Sequence, residues 1–154
     1  MTVETVRAFL ASHAPDIEIV ELEGSTATVE MAAKGHGVMP AQIAKTLSLR
    51  IRDRSLLVVT CGDARLNNRK VKDVLGGKAS MLAADEVLAL TGHPVGGVCP
   101  FGLASPLPVY CDLSLQGFEE VLPAAGSTNS ALRIEPKRLA ALVDAQWVDV
   151  CDRG

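Results

Sequence analysis

QIAKTLSLRIRDRSLLVVTC, residues 42–61, is the stretch on which the fold turns. Within it, Thr46–Arg52 sets Leu47, Leu49 and Ile51 at every second position, the period of a half-buried strand. Asp53-Arg54-Ser55 supplies a polar turn, and Leu56–Cys61 is a short continuous apolar run that reads as a buried strand. Ahead of this hairpin, Pro40 suits the first turn of a helix running to about Ala44. Lys45 then falls at a helix-to-strand junction among Ile43, Ala44 and Leu47.

Working toward the N-terminus, Thr28 is placed to cap a short helix through Lys34, closed by Gly35 and Gly37. Ile17–Leu22 alternates apolar and acidic residues as a half-exposed strand does. A first helix is capped by Thr2, with Val3, Val6, Phe9 and Leu10 on one face. Toward the C-terminus, Asn67–Leu75 reads as a basic helix ending at Gly76-Gly77, and Ala84–Leu90 as a second ending at Gly92. Val95–Val98, Val109–Asp112, Glu120–Ala124 and Ala131–Ile134 are candidate strands. Pro136 opens a last helix through Val143, and Trp147–Val150 closes as a strand. Helices and strands mix without a regular βαβ repeat, which points to an α+β fold. No linker or internal repeat divides the chain, so residues 1–154 form one expected domain.

Aromatics make up only 3% of the chain, so the core falls to Val, Leu, Ile and Ala, and stacking of successive bases on aromatic platforms is excluded. No apolar run of membrane-spanning length occurs, and acidic residues interrupt the N-terminal segment, so neither a membrane span nor a signal peptide is expected. Cys61, Cys99, Cys111 and Cys151 are far apart, with no C-x-x-C pair. That spacing argues for free thiols in a reducing cytoplasm and against a zinc site; no metal or cofactor is expected.

The total charge of −3 hides a division. Residues 45–78 carry nine basic against three acidic side chains, a balance of +6 that leaves −9 for the remainder. Such polarity steers a polyanion onto one face, and Arg69, Lys70 and Lys72 are the candidate contacts to a nucleic-acid backbone.

Two loops and one lysine carry the remaining signal. Thr91–Gly102 is dense in special backbone residues, and Gly96-Gly97 would let a ligand approach main-chain N–H groups while Pro100 stiffens the turn. It is neither a phosphate-binding P-loop nor a dinucleotide fingerprint. Ala125–Asn129 is a second glycine-led loop with short polar side chains. Lys45 can hold a phosphate or carboxylate as a point charge, or else extend its amine to solvent along apolar neighbours. His93 and Cys99 could form a base–thiol pair, although a cysteine in this context is more often packing.

In their order, the Gln42–Leu47 block, the Val58–Asp63 strand and turn, Gly92–Gly102, Val109–Asp112 and Ala125-Gly126-Ser127 resemble the YbaK/prolyl-tRNA-synthetase-associated editing domain family. The likeness covers nearly the whole chain. It implies a curved, barrel-like mixed sheet flanked by helices, and a free-standing enzyme that hydrolyses the ester of mischarged aminoacyl-tRNA. Water attacks the ester carbonyl in that family, assisted by the free hydroxyl of the terminal ribose. By the same likeness Lys45 is the key catalytic-site residue, anchoring the terminal nucleotide. The expected substrate-binding set is Thr46, His93, Gly96, Gly97, Cys99, Pro100, Gly102, Gly126 and Ser127. The partners implied are the acceptor end of aminoacyl-tRNA and an aminoacyl-tRNA synthetase. Cys99 stands where the family often has a hydroxyl residue, and Ser127-Thr128-Asn129 lacks a histidine that some alanine-clearing members carry. Two alternatives stand beside this reading: a non-catalytic tRNA-end or nucleotide-binding module, and a Cys99-dependent hydrolase.

Overall fold

The computed structural model describes residues 2–152, with side chains from Val3 onward, so the expected Thr2 cap lies outside the described side chains. The hairpin forms at the centre. Strand β2 (Ile43–Ile51) pairs antiparallel with β3 (Arg54–Cys61), from Ala44↔Cys61 to Ile51↔Arg54. The turn is tighter than the expected Asp53–Ser55: Arg52 and Asp53 alone connect the strands, with Arg52 at φ 57. A two-residue connection of this hand matches the strands' own twist, so Arg54 and Ser55 are drawn into the ladder.

Helices α1 (Thr2–His13) and α2 (Val29–His36), with the two-residue strand β1 (Val20–Glu21) between them, precede the hairpin. After it come α3 (Asn68–Leu75), β4 (Ala79–Met81), α4 (Ala84–Thr91), β5 (Val109–Asp112), β6 (Leu122–Pro123), β7 (Ser130–Ala131), α5 (Pro136–Leu142) and β8 (Gln146–Val148). The main sheet runs β4-β2-β3-β5-β8, and β6 pairs parallel with the start of β2 at Ile43 and Ala44. Strand β4 is antiparallel to β2, whereas β5 and β8 continue the sheet in parallel. A second ladder joins β1 to β7, and the Ala124↔Ala131 bridge links it to the segment that carries β6. This is the mixed α+β single domain that the sequence predicts.

Burial on both faces of β3 explains its unbroken apolar run. Leu57, Val59 and Cys61 join Val6 and Leu10 of α1 and Leu139 and Ala140 of α5. Leu56 and Val58 face the other way, packing with Leu49 and Ile51 of β2 and Val71 and Leu75 of α3. Each such aliphatic side chain contributes about 1.5–3 kcal/mol on full burial. Phe101 is the only fully buried aromatic among the described residues.

The expected Thr28 cap forms, and Asn67, expected as the first residue of its helix, caps α3. Thr28 Oγ1 accepts from Met31 N at 3.1 Å and Asn67 Oδ1 from Lys70 N at 3.0 Å. Helix α2 runs through Gly35 and stops at Gly37, whose φ is 70. At the end of α3, Arg54 donates to Leu75 O at 2.6 Å and Arg52 to Gly76 O at 2.8 Å, placing two cations at the negative end of the helix.

Other boundaries shift where tertiary pairing overrides local pattern. The helix expected from Pro40 to Ala44 is a 3-10 turn, Pro40–Gln42, because Ile43 and Ala44 are claimed by β6. Ile17–Leu22 contracts to Val20–Glu21, the part that meets Ser130 and Ala131. Val95–Val98 is no strand but a turn closed by Gly97 N donating to Pro94 O at 2.9 Å. Glu120–Ala124 and Ala131–Ile134 reduce to β6, β7 and the Val121↔Ile134 bridge. Trp147–Val150 becomes Gln146–Val148. Strand β4 and the 3-10 turn Leu113–Gly117 were not anticipated.

Candidate active site

Where β2 begins, four chain segments converge on a half-open cleft of about 150 Å³. Ile43–Thr46 forms its floor, and Thr26–Val29 with Ala32 of α2 forms one wall. Gly96 and Val98 form a second wall; Leu122, Ala124, Ser130 and Ala131 close the third. The lining is small and mostly apolar, with hydroxyls from Thr26, Thr28, Thr46 and Ser130. Lys45 is the one titratable side chain among the described lining residues.

Lys45 leaves β2 on the same face as Leu47, Leu49 and Ile51, the face covered by α3. Its Nζ donates to Gly62 O at 3.2 Å and to Ala64 O at 2.6 Å. An ammonium has three donors, so two are committed to the loop after β3 and the third is open to a ligand. The amine is therefore not a solvent-extended tail: it is fixed at the edge of the cleft by two backbone carbonyls. Next to it, Thr46 Oγ1 is buried and has no hydrogen-bond partner among the described residues. A buried hydroxyl in that state, in a cleft wall, is a natural partner for a polar group of a ligand.

The two glycine loops are locked to each other. Gly126 N donates to Gly97 O at 3.0 Å, and a Cβ added at Gly97 would lie 2.7–2.8 Å from the backbone of Ser127. Gly96, at φ 92, packs against Ala27, where a Cβ would meet the alanine methyl at 2.9 Å. These glycines thus let three segments close around one small space. Ser127 Oγ bonds Asn129 Oδ1 at 2.8 Å and Ser130 Oγ at 2.6 Å, so it sets the lining hydroxyl of Ser130 from behind.

Of the expected substrate-binding set, Thr46 and Gly96 line the cleft, while Gly97, Gly126 and Ser127 support its walls. His93, Cys99, Pro100 and Gly102 do not reach it. His93 and Cys99 are both fully buried. His93 Nε2 donates to Phe101 O at 2.8 Å, and Cys99 Sγ lies 3.7 Å from the same nitrogen. Pro100 is buried behind the loop, and Gly102 packs against the Thr5 carbonyl of α1, which a Cβ would meet at 2.8 Å. Burial pushes the Cys99 thiol up to about 12 and holds the His93 imidazole below its ordinary range. The pair consequently braces the loop, and the geometry does not support a thiolate nucleophile. Cys99→Ala is expected to keep any hydrolytic rate within about threefold of wild type, and thiol alkylation to leave it unchanged; a rate that collapses with either treatment would restore the thiol reading.

All four cysteines are buried and free of disulfides. Among the described residues, no group of three or more His, Cys, Asp or Glu side chains is placed to hold a metal ion. Among the described residues no helix is long and apolar enough to cross a membrane. On α3, Arg69 and Lys72 are exposed, whereas Lys70 is committed to Asp149 and to Cys151 O, at 3.0 and 2.9 Å.

The wall from Thr26 to Ala32 and the lining residues Leu122, Ala124, Ser130 and Ala131 were missed from sequence, although the Gly126-Ser127 loop between them was singled out. The available signal was the run of small residues Gly24–Thr28, of which only Thr28 is read from sequence, as a helix cap.

Known proteins share this architecture. A family model described as "Aminoacyl-tRNA editing domain" matches residues 23–142. Over 153 residues the chain is 45% identical to "Uncharacterized protein YwhH" of Bacillus subtilis (strain 168), covering 98% of each. With the proline–tRNA ligase of Citrifermentans bemidjiense it shares 34% identity over 107 residues, 69% of this chain and 19% of the ligase. A crystal structure of "a putative trans-editing enzyme for prolyl tRNA synthetase" superimposes with a TM-score of 0.90 at 34% identity, over 98% of this chain and 97% of that one.

Proposed function

We propose, from the premise that this chain belongs to the aminoacyl-tRNA editing domain family, that it is a trans-acting deacylase that clears small amino acids from mischarged tRNA. The observation that carries this reading is the cleft itself: about 150 Å³, walled by alanines and hydroxyls, with one fixed cation at its edge. That small, mostly apolar lining with its hydroxyls suits a small side chain on its ester.

An aminoacyl ester is already activated, so its hydrolysis depends more on positioning than on a strong nucleophile. In the proposed step a water oxygen bonds to the ester carbonyl carbon while the adjacent free ribose hydroxyl relays the proton. The acyl–oxygen bond then breaks, the terminal ribose oxygen regains a proton, and the free amino acid leaves. Lys45 holds the terminal nucleotide through its remaining donor, Thr46 and Ser130 offer hydroxyls to the ester end, and the Gly96–Val98 wall supplies close backbone. A pocket separates side chains differing by one methylene by only about 1–3 kcal/mol, which is why a second, hydrolytic sieve is useful. An aminoacyl-tRNA synthetase is the partner that would deliver such substrates.

The test is a panel of tRNAs, each charged with a non-cognate amino acid and incubated with purified protein. Turnover of at least one ester with a small side chain is expected, with bulky esters spared. If no ester in the panel turns over above the blank, the enzyme reading fails; retained tRNA binding would then mark a non-catalytic tRNA-end module.

A further inference from the structure

The excess positive charge of residues 45–78 sorts, in three dimensions, into spent and unspent cations. Arg50 is paired with Glu86 of α4. Arg52 and Arg54 close the end of α3, and Lys70 is held by Asp149 and Cys151 O. Arg65, Arg69, Lys72 and Lys78 are exposed and have no hydrogen-bond or ion-pair partner among the described residues, Lys78 lying past the C-terminal end of α3. Arg69 and Lys72 are three apart on α3 and so are neighbours on its exposed surface, which also carries the exposed Asp73, while Val71 and Leu75 are buried.

This stripe begins at the cleft. Lys45 Nζ is bonded to Ala64 O, the residue before Arg65, and α3 starts three residues further on. The eight residues of α3 then extend about 12 Å beyond that point. Lys45, Arg65, Arg69 and Lys72 accordingly form a cationic track from the cleft edge along the outer face of α3, while the rest of the chain carries −9.

We infer that this track is the docking surface for the phosphate backbone of the tRNA acceptor stem, with Arg65, Arg69 and Lys72 as its contacts and Lys70 excluded. The inference rests on the deacylase reading for the identity of the RNA, and it adds which face of the protein the duplex lies on. Backbone contacts of this kind raise affinity independently of sequence and make it depend on salt.

The experiment measures binding of uncharged tRNA across a salt series for wild type and for the triple variant Arg65→Gln, Arg69→Gln, Lys72→Gln. Alongside it, hydrolysis is measured on full-length mischarged tRNA and on the same amino acid esterified to a CCA trinucleotide. The slope of log affinity against log salt is expected to fall by about 2, three phosphate contacts at roughly 0.7–0.9 each. Hydrolysis of full-length tRNA is expected to fall at least tenfold through KM, with the trinucleotide ester cleaved as by wild type. Lys137→Gln, on α5 across the sheet, is expected to leave the slope as it is. An unchanged salt slope in the triple variant overturns the docking surface, as does an equal loss on tRNA and trinucleotide with a lowered melting temperature. Should wild type hydrolyse neither ester, the deacylase reading fails alone, because the salt slope still decides the docking surface.

Discussion

Replacing Lys45 with alanine is expected to lower kcat/KM on the best mischarged tRNA by about 100-fold or more. Charge-assisted hydrogen bonds contribute roughly 1.5–3 kcal/mol each, and every 1.4 kcal/mol is tenfold in rate. In the proposed role, the substitution removes the bond to substrate directly. It also frees the Gly62 and Ala64 carbonyls that Nζ now holds at 3.2 and 2.6 Å, so the loop at the cleft edge loses its tether. Lys45→Met keeps the stem packed against its neighbours and removes only the charge, which separates the two effects. A melting temperature close to wild type together with the same rate loss places the defect in substrate binding. Lys45→Arg is expected to rescue poorly, since a planar fork cannot reproduce bonds to two carbonyls and leave a compact third donor for a ligand. Activity of Lys45→Ala within threefold of wild type would remove the lysine from the site.

How far the sequence carried this result depends on the range of the interactions involved. The hairpin was legible because alternation in Thr46–Arg52 and the apolar run Leu56–Cys61 are local patterns with one folded solution. The cap at Thr28 and the N-terminus of α3 at Asn67 were legible for the same reason, since each hydroxyl or amide serves a backbone N–H three residues away. Strand β4 was not: Ala79-Ser80-Met81 has no strand pattern of its own and is ordered by pairing with Leu49–Ile51. Val95–Val98 erred in the opposite direction, where β-branched residues suggested a strand but Gly96-Gly97 were needed to pack against Ala27 and Ser127. In the site, Lys45 and Gly96 stood out by residue type together with the family likeness. Ser130 and Ala131 did not, because nothing in a short polar loop reveals that it will close a cleft formed by residues 85 positions earlier, as Ser130 does opposite Lys45. His93 and Cys99 were drawn into the site by their chemistry, and the fold spends them on bracing instead.

Gly97→Ala is expected to be a severely damaging single-methyl change at the junction of the two glycine loops. Its added Cβ would lie 2.7 Å from the carbonyl carbon of Ser127 and 2.8 Å from the nitrogen and oxygen of the same residue. These are backbone atoms, so no rotamer change can relieve the contact, and the two glycine loops must part. The Gly126 N–Gly97 O hydrogen bond of 3.0 Å then stretches, and the wall carrying Gly96 and Val98 moves away from the one carrying Ser130. Overpacking of this kind typically costs about 1–3 kcal/mol, which in a domain of this size lowers Tm by roughly 3–10 °C. Catalysis is expected to suffer more than stability. When rate depends on holding ester and water in register, a displacement of about 1 Å can cost on the order of 100-fold. Gly24→Ala, where an added Cβ meets nothing within 4 Å, is the matched control and should change neither quantity. The decisive measurement is a melt and a deacylation rate on both variants. A Gly97→Ala protein with wild-type Tm and wild-type rate would mean that the two loops are not rigidly joined, and that the cleft they enclose does not set the position of the substrate.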